Sequence, residues 1–145
     1  MKVKKINRYY CEHCKKSGCS GYWMKRHEQR CTMNPNRECG YCNLLEQTQP
    51  KISDLLVILP DINNYVIIVD VGEGDYDWEN IAVEVERAMP QLRELSGNCP
   101  ACIMSALRQK GIPVPIVSSF NFTNECKAIW DDINSAKTER ENWDL

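Results

Sequence analysis

The chain has 145 residues, 43% hydrophobic and 26% charged, with a formal net charge of -2. That composition belongs to an ordinary globular chain and excludes a disordered one. Its longest strongly apolar run, Tyr65 to Val71, is far too short to cross a bilayer, so no membrane partner is expected.

The small net charge hides a split. Residues 1–45 carry ten Lys/Arg against three Asp/Glu, a balance of +7, and residues 46–145 carry eight against seventeen, a balance of -9. A basic head on an acidic body points to two roles. Met1 to Tyr10 is basic but holds no apolar core or cleavage site, so a cytoplasmic location is expected. Nine cysteines is a high and odd count; in a reducing compartment, paired Cys-x-x-Cys motifs hold metal more often than disulfides.

In chain order, the first feature is Cys11-x2-Cys14-x12-His27-x3-Cys31. This is the spacing of a ββα zinc finger with cysteine as the last ligand. The first pair sits on a tight knuckle, and His27 and Cys31 lie one turn apart on a helix face, so two faces close a tetrahedron. Tyr9 and Met24 occupy the aromatic and core positions of such a finger. Gly18 stands where a core phenylalanine is usual, leaving a gap for Tyr22, Trp23 or the rest of the protein to fill. Cys19 and His13 are read as bystanders. The four donors leave no open position on the metal, which makes the site structural.

Asn34-Pro35 ends the finger, giving expected domains of 1–35 and 36–145. Cys39-Gly-Tyr-Cys42 follows, and Cys99-Pro-Ala-Cys102 lies far downstream. Each pair can start a helix, and together they supply a four-cysteine zinc site bracing the body. The competing reading is a thioredoxin-like redox pair, but helix and turn, not a buried strand, precede Cys99. Cys126 reads as a small buried hydrophobe.

Between these pairs, Ser53 is expected to cap a short helix, or a strand, that stops at Pro60. Tyr65–Val71 is β-branched and predicts a strand, with the segment from Gly72 to Asp75 a loop. Asp77 caps a helix with Ile81, Val85 and Met89 on one face, kinked or restarted at Pro90 and continued by Leu92 and Leu95. Cys99–Lys110 is helical, the stretch from Ile112 to Phe122 extended, and Thr123 caps a last helix that turns Cys126, Ile129, Trp130 and Ile133 to the core. The polar tail from Lys137 is expected to fray. The fold class is therefore an α-rich, zinc-stabilised α+β protein with a finger packed on a mainly helical body. The acids Glu73, Asp75, Asp77, Glu79, Glu84 and Glu86 read as a solvated face. With no nucleophile matched to a base, no enzymatic activity is expected.

The segments YYCEHC, MKRHEQRCTMNPNRECGYC, NCPACIMSALRQKGI and FNFTNECKAIWDDIN together resemble small zinc-finger-bearing hypothetical proteins of bacteriophages and prophages. The resemblance covers most of the chain and implies a phage setting and two zinc sites. On the register of a finger, Ser20, Tyr22, Trp23 and Arg26 face a nucleic acid, while Lys15, Lys16, Lys25, Arg26 and Arg30 meet phosphates. Tyr22 and Trp23 suit stacking on unpaired bases. The expected function is nucleic-acid binding, to DNA or RNA. The alternative is a module that binds and inhibits a host defence or regulatory protein through Trp23; a thiol oxidoreductase is the third possibility.

Overall fold

The computed structural model describes residues 1–70 and 73–143. Its head opens with a minimal antiparallel pairing of β1 (Tyr9–Tyr10) and β2 (Ser17–Gly18), followed by α1 (Gly21–Arg30). Ser20 caps α1 by accepting a hydrogen bond from the Trp23 N–H at 3.3 Å. A Cβ on Gly21 would stand 3.2 Å from the Tyr9 ring, so glycine lets the strand and helix approach. At the other end, Cys31 leaves helical geometry, and the Asn34 side chain closes the helix by donating to the Glu28 carbonyl at 2.7 Å.

The body is built around α5 (Pro100–Gln109), packed by α3 (Ile52–Leu56), α4 (Trp78–Ser96) and α6 (Phe122–Trp143). Ile81, Val85, Met89 and Leu92 of α4 lie on one stripe and are buried, facing Ile103, Ala106 and Leu107 of α5. Both helices end on left-handed glycines. Gly97 (φ 60°) and Gly111 (φ 77°) let the N–H groups of Asn98 and Ile112 reach back to the carbonyls of Arg93 and Leu107. A short α2 (Gly40–Leu44) carries the first Cys-x-x-Cys pair. β3 (Val66–Asp70) and β4 (Glu73–Tyr76) form a separate antiparallel hairpin with an irregularity between Ile68 and Asp70.

The helical α+β class holds: the described residues are mostly helical, with two small antiparallel sheets. Among them no helix is long and apolar enough to cross a membrane. Several local expectations need correction. Ser53 does not cap α3, which starts at Ile52 after Lys51 and ends before Val57. Glu73 to Asp75 are in β4 rather than a loop, because pairing with β3 satisfies a backbone that Gly and Asp alone would not extend; Val71 and Gly72 lie outside the described residues. α4 continues through Pro90, and Leu95 is half-exposed while Ser96 takes the buried place.

The segment after α5 holds a 3-10 turn at Val114–Ile116 rather than running extended throughout. Asn121, not Thr123, opens α6: its side chain accepts from the Asn124 N–H at 3.0 Å while Glu125 accepts from the Asn121 N–H at 3.3 Å. The segment from Lys137 to Trp143 is helical. Trp130 is not a core residue: it is 44% exposed, while Cys126 is buried.

The head is docked on α5. The Thr32 carbonyl accepts from the buried Ser105 hydroxyl at 2.5 Å and from Gln109 at 2.9 Å, and the Arg108 guanidinium reaches the Thr32 hydroxyl at 3.1 Å. The Glu38 N–H donates to the Gln29 carbonyl at 2.8 Å. These bonds orient the first cysteine cluster on the second half of the chain.

Candidate metal centres

Two clusters of donors form, each with its four ligand atoms within 4.8 Å of one another: Cys11, Cys14, His27 and Cys31, and Cys39, Cys42, Cys99 and Cys102. In the first, the knuckle between β1 and β2 aims two sulfurs inward. The N–H groups of His13 and Lys16 donate to Cys11 Sγ and Cys14 Sγ, both at 3.4 Å. α1 brings His27 Nε2 to 3.2 Å from Cys14 Sγ, and Cys31 follows at the helix end. Burial, then Lys16, lowers the His27 pKa and holds the ring neutral, the form that ligates a metal. Burial pushes the Cys31 thiol up to about 11. Burial also opposes ionisation of Cys14, but the Lys16 N–H and the neighbouring thiols outweigh it and lower its pKa.

The small core around this cluster is Cys11, Met24 and Cys31, with Cys14 and Met33 against it. Tyr22 and Trp23 do not fill the gap at Gly18: both are 64% exposed, and a Cβ on Gly18 would meet nothing within 4 Å. Met33, beyond α1, supplies the extra apolar contact instead. His13 and the exposed Cys19 stay outside the cluster.

In the second cluster, Cys39 caps α2 and Cys99 precedes α5, so each pair sits at a helix start. Cys39 Sγ lies 3.4 Å from Cys99 Sγ, and Cys42 Sγ 3.5 Å from Cys102 Sγ. Those separations are too long for S–S bonds and close to the ~3.8 Å edge of a tetrahedron with metal–sulfur bonds of about 2.3 Å. All four cysteines are buried.

Without a cation their protons are shared unevenly. Hydrogen bonds from Cys102 and Cys99 hold Cys39 far down, against burial, with Arg37 assisting. Cys102 is driven far up, first by its contact with Cys39. Cys102 lowers Cys99, yet contact with Cys39 and burial prevail and push Cys99 up to about 12. A buried set of four thiols that cannot all ionise together is the donor set that a divalent cation would convert to thiolates.

The surroundings support the same fit. Gln49 clamps the first pair, accepting from the Cys39 N–H at 2.7 Å and donating to the Arg37 carbonyl at 2.7 Å. Gln47 bridges Cys42 Sγ at 3.5 Å to the Ser96 carbonyl at 2.9 Å. Arg37 is buried, with Nη1 3.9 Å from Cys102 Sγ. Among the described residues no carboxylate lies within ion-pair distance of it. A buried guanidinium facing sulfurs and no carboxylate matches a cluster that carries negative charge. Sequence reasoning missed Arg37, Gln47 and Gln49; nothing local marks them, since their partners come from the fold.

Both donor sets thus fit structural metal sites. Comparison with family models, with curated proteins and with solved structures returns no match.

The residues read as a nucleic-acid face are placed as follows. Tyr22 and Trp23 meet edge to face with centroids 5.3 Å apart, and the Arg26 guanidinium lies 5.8 Å and 5.5 Å from their rings. Lys16, Ser20, Trp23, Arg26 and Arg30 line one shallow cavity of about 470 Å³; Lys15, Tyr22 and Lys25 are exposed outside it. The Ser20 hydroxyl is already engaged as the α1 cap. The acids of the body have separate tasks: Asp77 caps α4, Glu84 pairs with Arg87 at 2.8 Å, and Glu86 accepts from Ser118 and Ser119 at 3.2 and 3.1 Å.

Proposed function

We propose that the chain is a nucleic-acid-binding accessory protein whose residues 9–31 act as a ββα-type zinc finger, with one structural zinc ion in each cluster. Four protein donors would complete each coordination shell, so the ions serve folding. The phage setting rests on the motif order described above.

The observation that carries the binding role is the exposed Tyr22–Trp23–Arg26 group, of which Trp23 and Arg26 line a cavity shared with Lys16 and Arg30 and without a lining carboxylate. Rings and a guanidinium offer stacking surfaces, and the surrounding Lys16, Lys25 and Arg30 offer phosphate contacts. The metal-loaded chain is expected to bind random oligonucleotides with an affinity that falls steeply as salt rises. Lys25→Ala with Arg26→Ala should weaken binding about tenfold or more and flatten the salt slope by about one to two ion equivalents. Salt-insensitive binding, or a double variant that binds as the wild type does, would refute the finger-face reading.

A second reading draws on the same aromatics. Trp23 and Tyr22, each 64% exposed, also suit the anchor of a protein interface, with a host regulatory protein as partner. Capture of a host protein that survives nuclease treatment and is lost in Trp23→Ala would favour it.

A further inference from the structure

A second cavity shares Arg30, the last residue of α1, with the finger cavity. It measures about 640 Å³, and its lining includes Arg30, Arg37, Gly40, Tyr41, Phe122 and Trp130. Its volume falls in the ~300–1,000 Å³ range of ligand sites. Three aromatic rings from two different elements converge there. Tyr41 and Phe122 meet edge to face with centroids 6.4 Å apart, and Trp130 stands 44% exposed.

Two guanidiniums and no carboxylate line this groove. Arg37, only 7% exposed, carries a buried Nε donor without a partner. Arg30 borders both this groove and the finger cavity, so the two form neighbouring surfaces joined by one cation. Its guanidinium lies over Gly40, 3.8 Å from where a Cβ would stand, which is ordinary van der Waals contact.

We propose that the groove receives an unpaired base of a single-stranded nucleic acid whose phosphates are held on the finger face, with Arg30 bridging the phosphate between the two. This rests on the nucleic-acid reading above and adds the form of the ligand to it. An aromatic floor with a π face at Trp130 takes any base, and the Arg30 guanidinium at the rim satisfies a phosphate or a base edge. A base locked in a duplex presents neither face and cannot enter.

The test uses the metal-loaded full chain, with fluorescence anisotropy of one labelled oligonucleotide, single-stranded and as its duplex. The wild type should bind the single strand about tenfold or more tighter, the scale of one base stacked on an aromatic ring. Trp130→Leu should erase that preference while leaving duplex affinity and metal content as they were. Trp130→Tyr, which keeps a π face, should retain most of it. If the duplex binds as tightly as the single strand, or if Trp130→Leu keeps the preference, the groove assignment is wrong while the finger reading stands. If neither form binds, the finger reading fails and the groove assignment falls with it.

Discussion

Arg37 shows how one side chain ties a metal centre to its protein. A charged group buried to this degree is costly unless something opposes its charge. Arg37 Nη1 lies 3.9 Å from the sulfur of Cys102, in the four-cysteine cluster that a bound cation would leave negatively charged. Replacing Arg37 with Leu leaves an apolar side chain in the buried site but removes the countercharge. We expect the second site of Arg37→Leu to lose metal to a competing chelator with affinity about 10–100-fold weaker, the usual effect of an outer-sphere change. The first site, whose donors make no hydrogen bond to Arg37, should be unaffected. Unchanged chelator competition at the second site would show that Arg37 only fills space. Nothing in the local sequence announced this role: Arg37 is one basic residue among ten in the head.

At the scale of elements, the end of α4 is where helix geometry and the second site are coupled. Gly97 is left-handed, and a Cβ there would run into the Gln47 side chain, which holds Ser96 and Cys42. Gly97→Ala should therefore cost about 1–2 kcal/mol from backbone strain alone and more from displacing Gln47. Gly18→Ala faces open space and should stay within about 0.5 kcal/mol of wild type. Denaturant midpoints measure both; equal effects would contradict the coupling.

α6 illustrates a different limit of reading locally. Its start is decided by the Asn121–Glu125 exchange, and Glu125 also accepts from Arg93 of α4 at 2.6 Å. Two demands on one carboxylate cannot be seen in a window around Thr123. The outward turn of Trp130 likewise depends on how α6 sits on α5.

Across the whole molecule, metal loading and folding should be inseparable in the head and only partly so in the body. The head's own core is three buried residues, two of them ligands, whereas the α3–α4–α5 core buries Leu55, Ile81, Leu92, Ile103 and Leu107. The purified chain is expected to hold two equivalents of zinc. Cys31→Ser and Cys102→Ser should each drop one, and Cys19→Ser should drop none. Chelation should abolish hydrogen-exchange protection in α1 while much of α4 and α5 stays protected. Protection in α1 surviving full metal removal would contradict a metal-dependent head.

Local pattern alone marks the first donor set and each of the two Cys-x-x-Cys pairs, because ligand spacing within a knuckle and within one helical turn is local geometry. It also determined the α4 stripe and the ends of α5, which follow from periodicity and from glycines free to turn left-handed. Only the tertiary structure decided that Cys39 and Cys42 meet Cys99 and Cys102, that Arg37 is buried against them, that β4 pairs with β3, and that Arg30 joins two cavities. Each of these brings together groups from distant parts of the chain, and such meetings depend on the packing of the whole core around α5 rather than on any one segment's pattern.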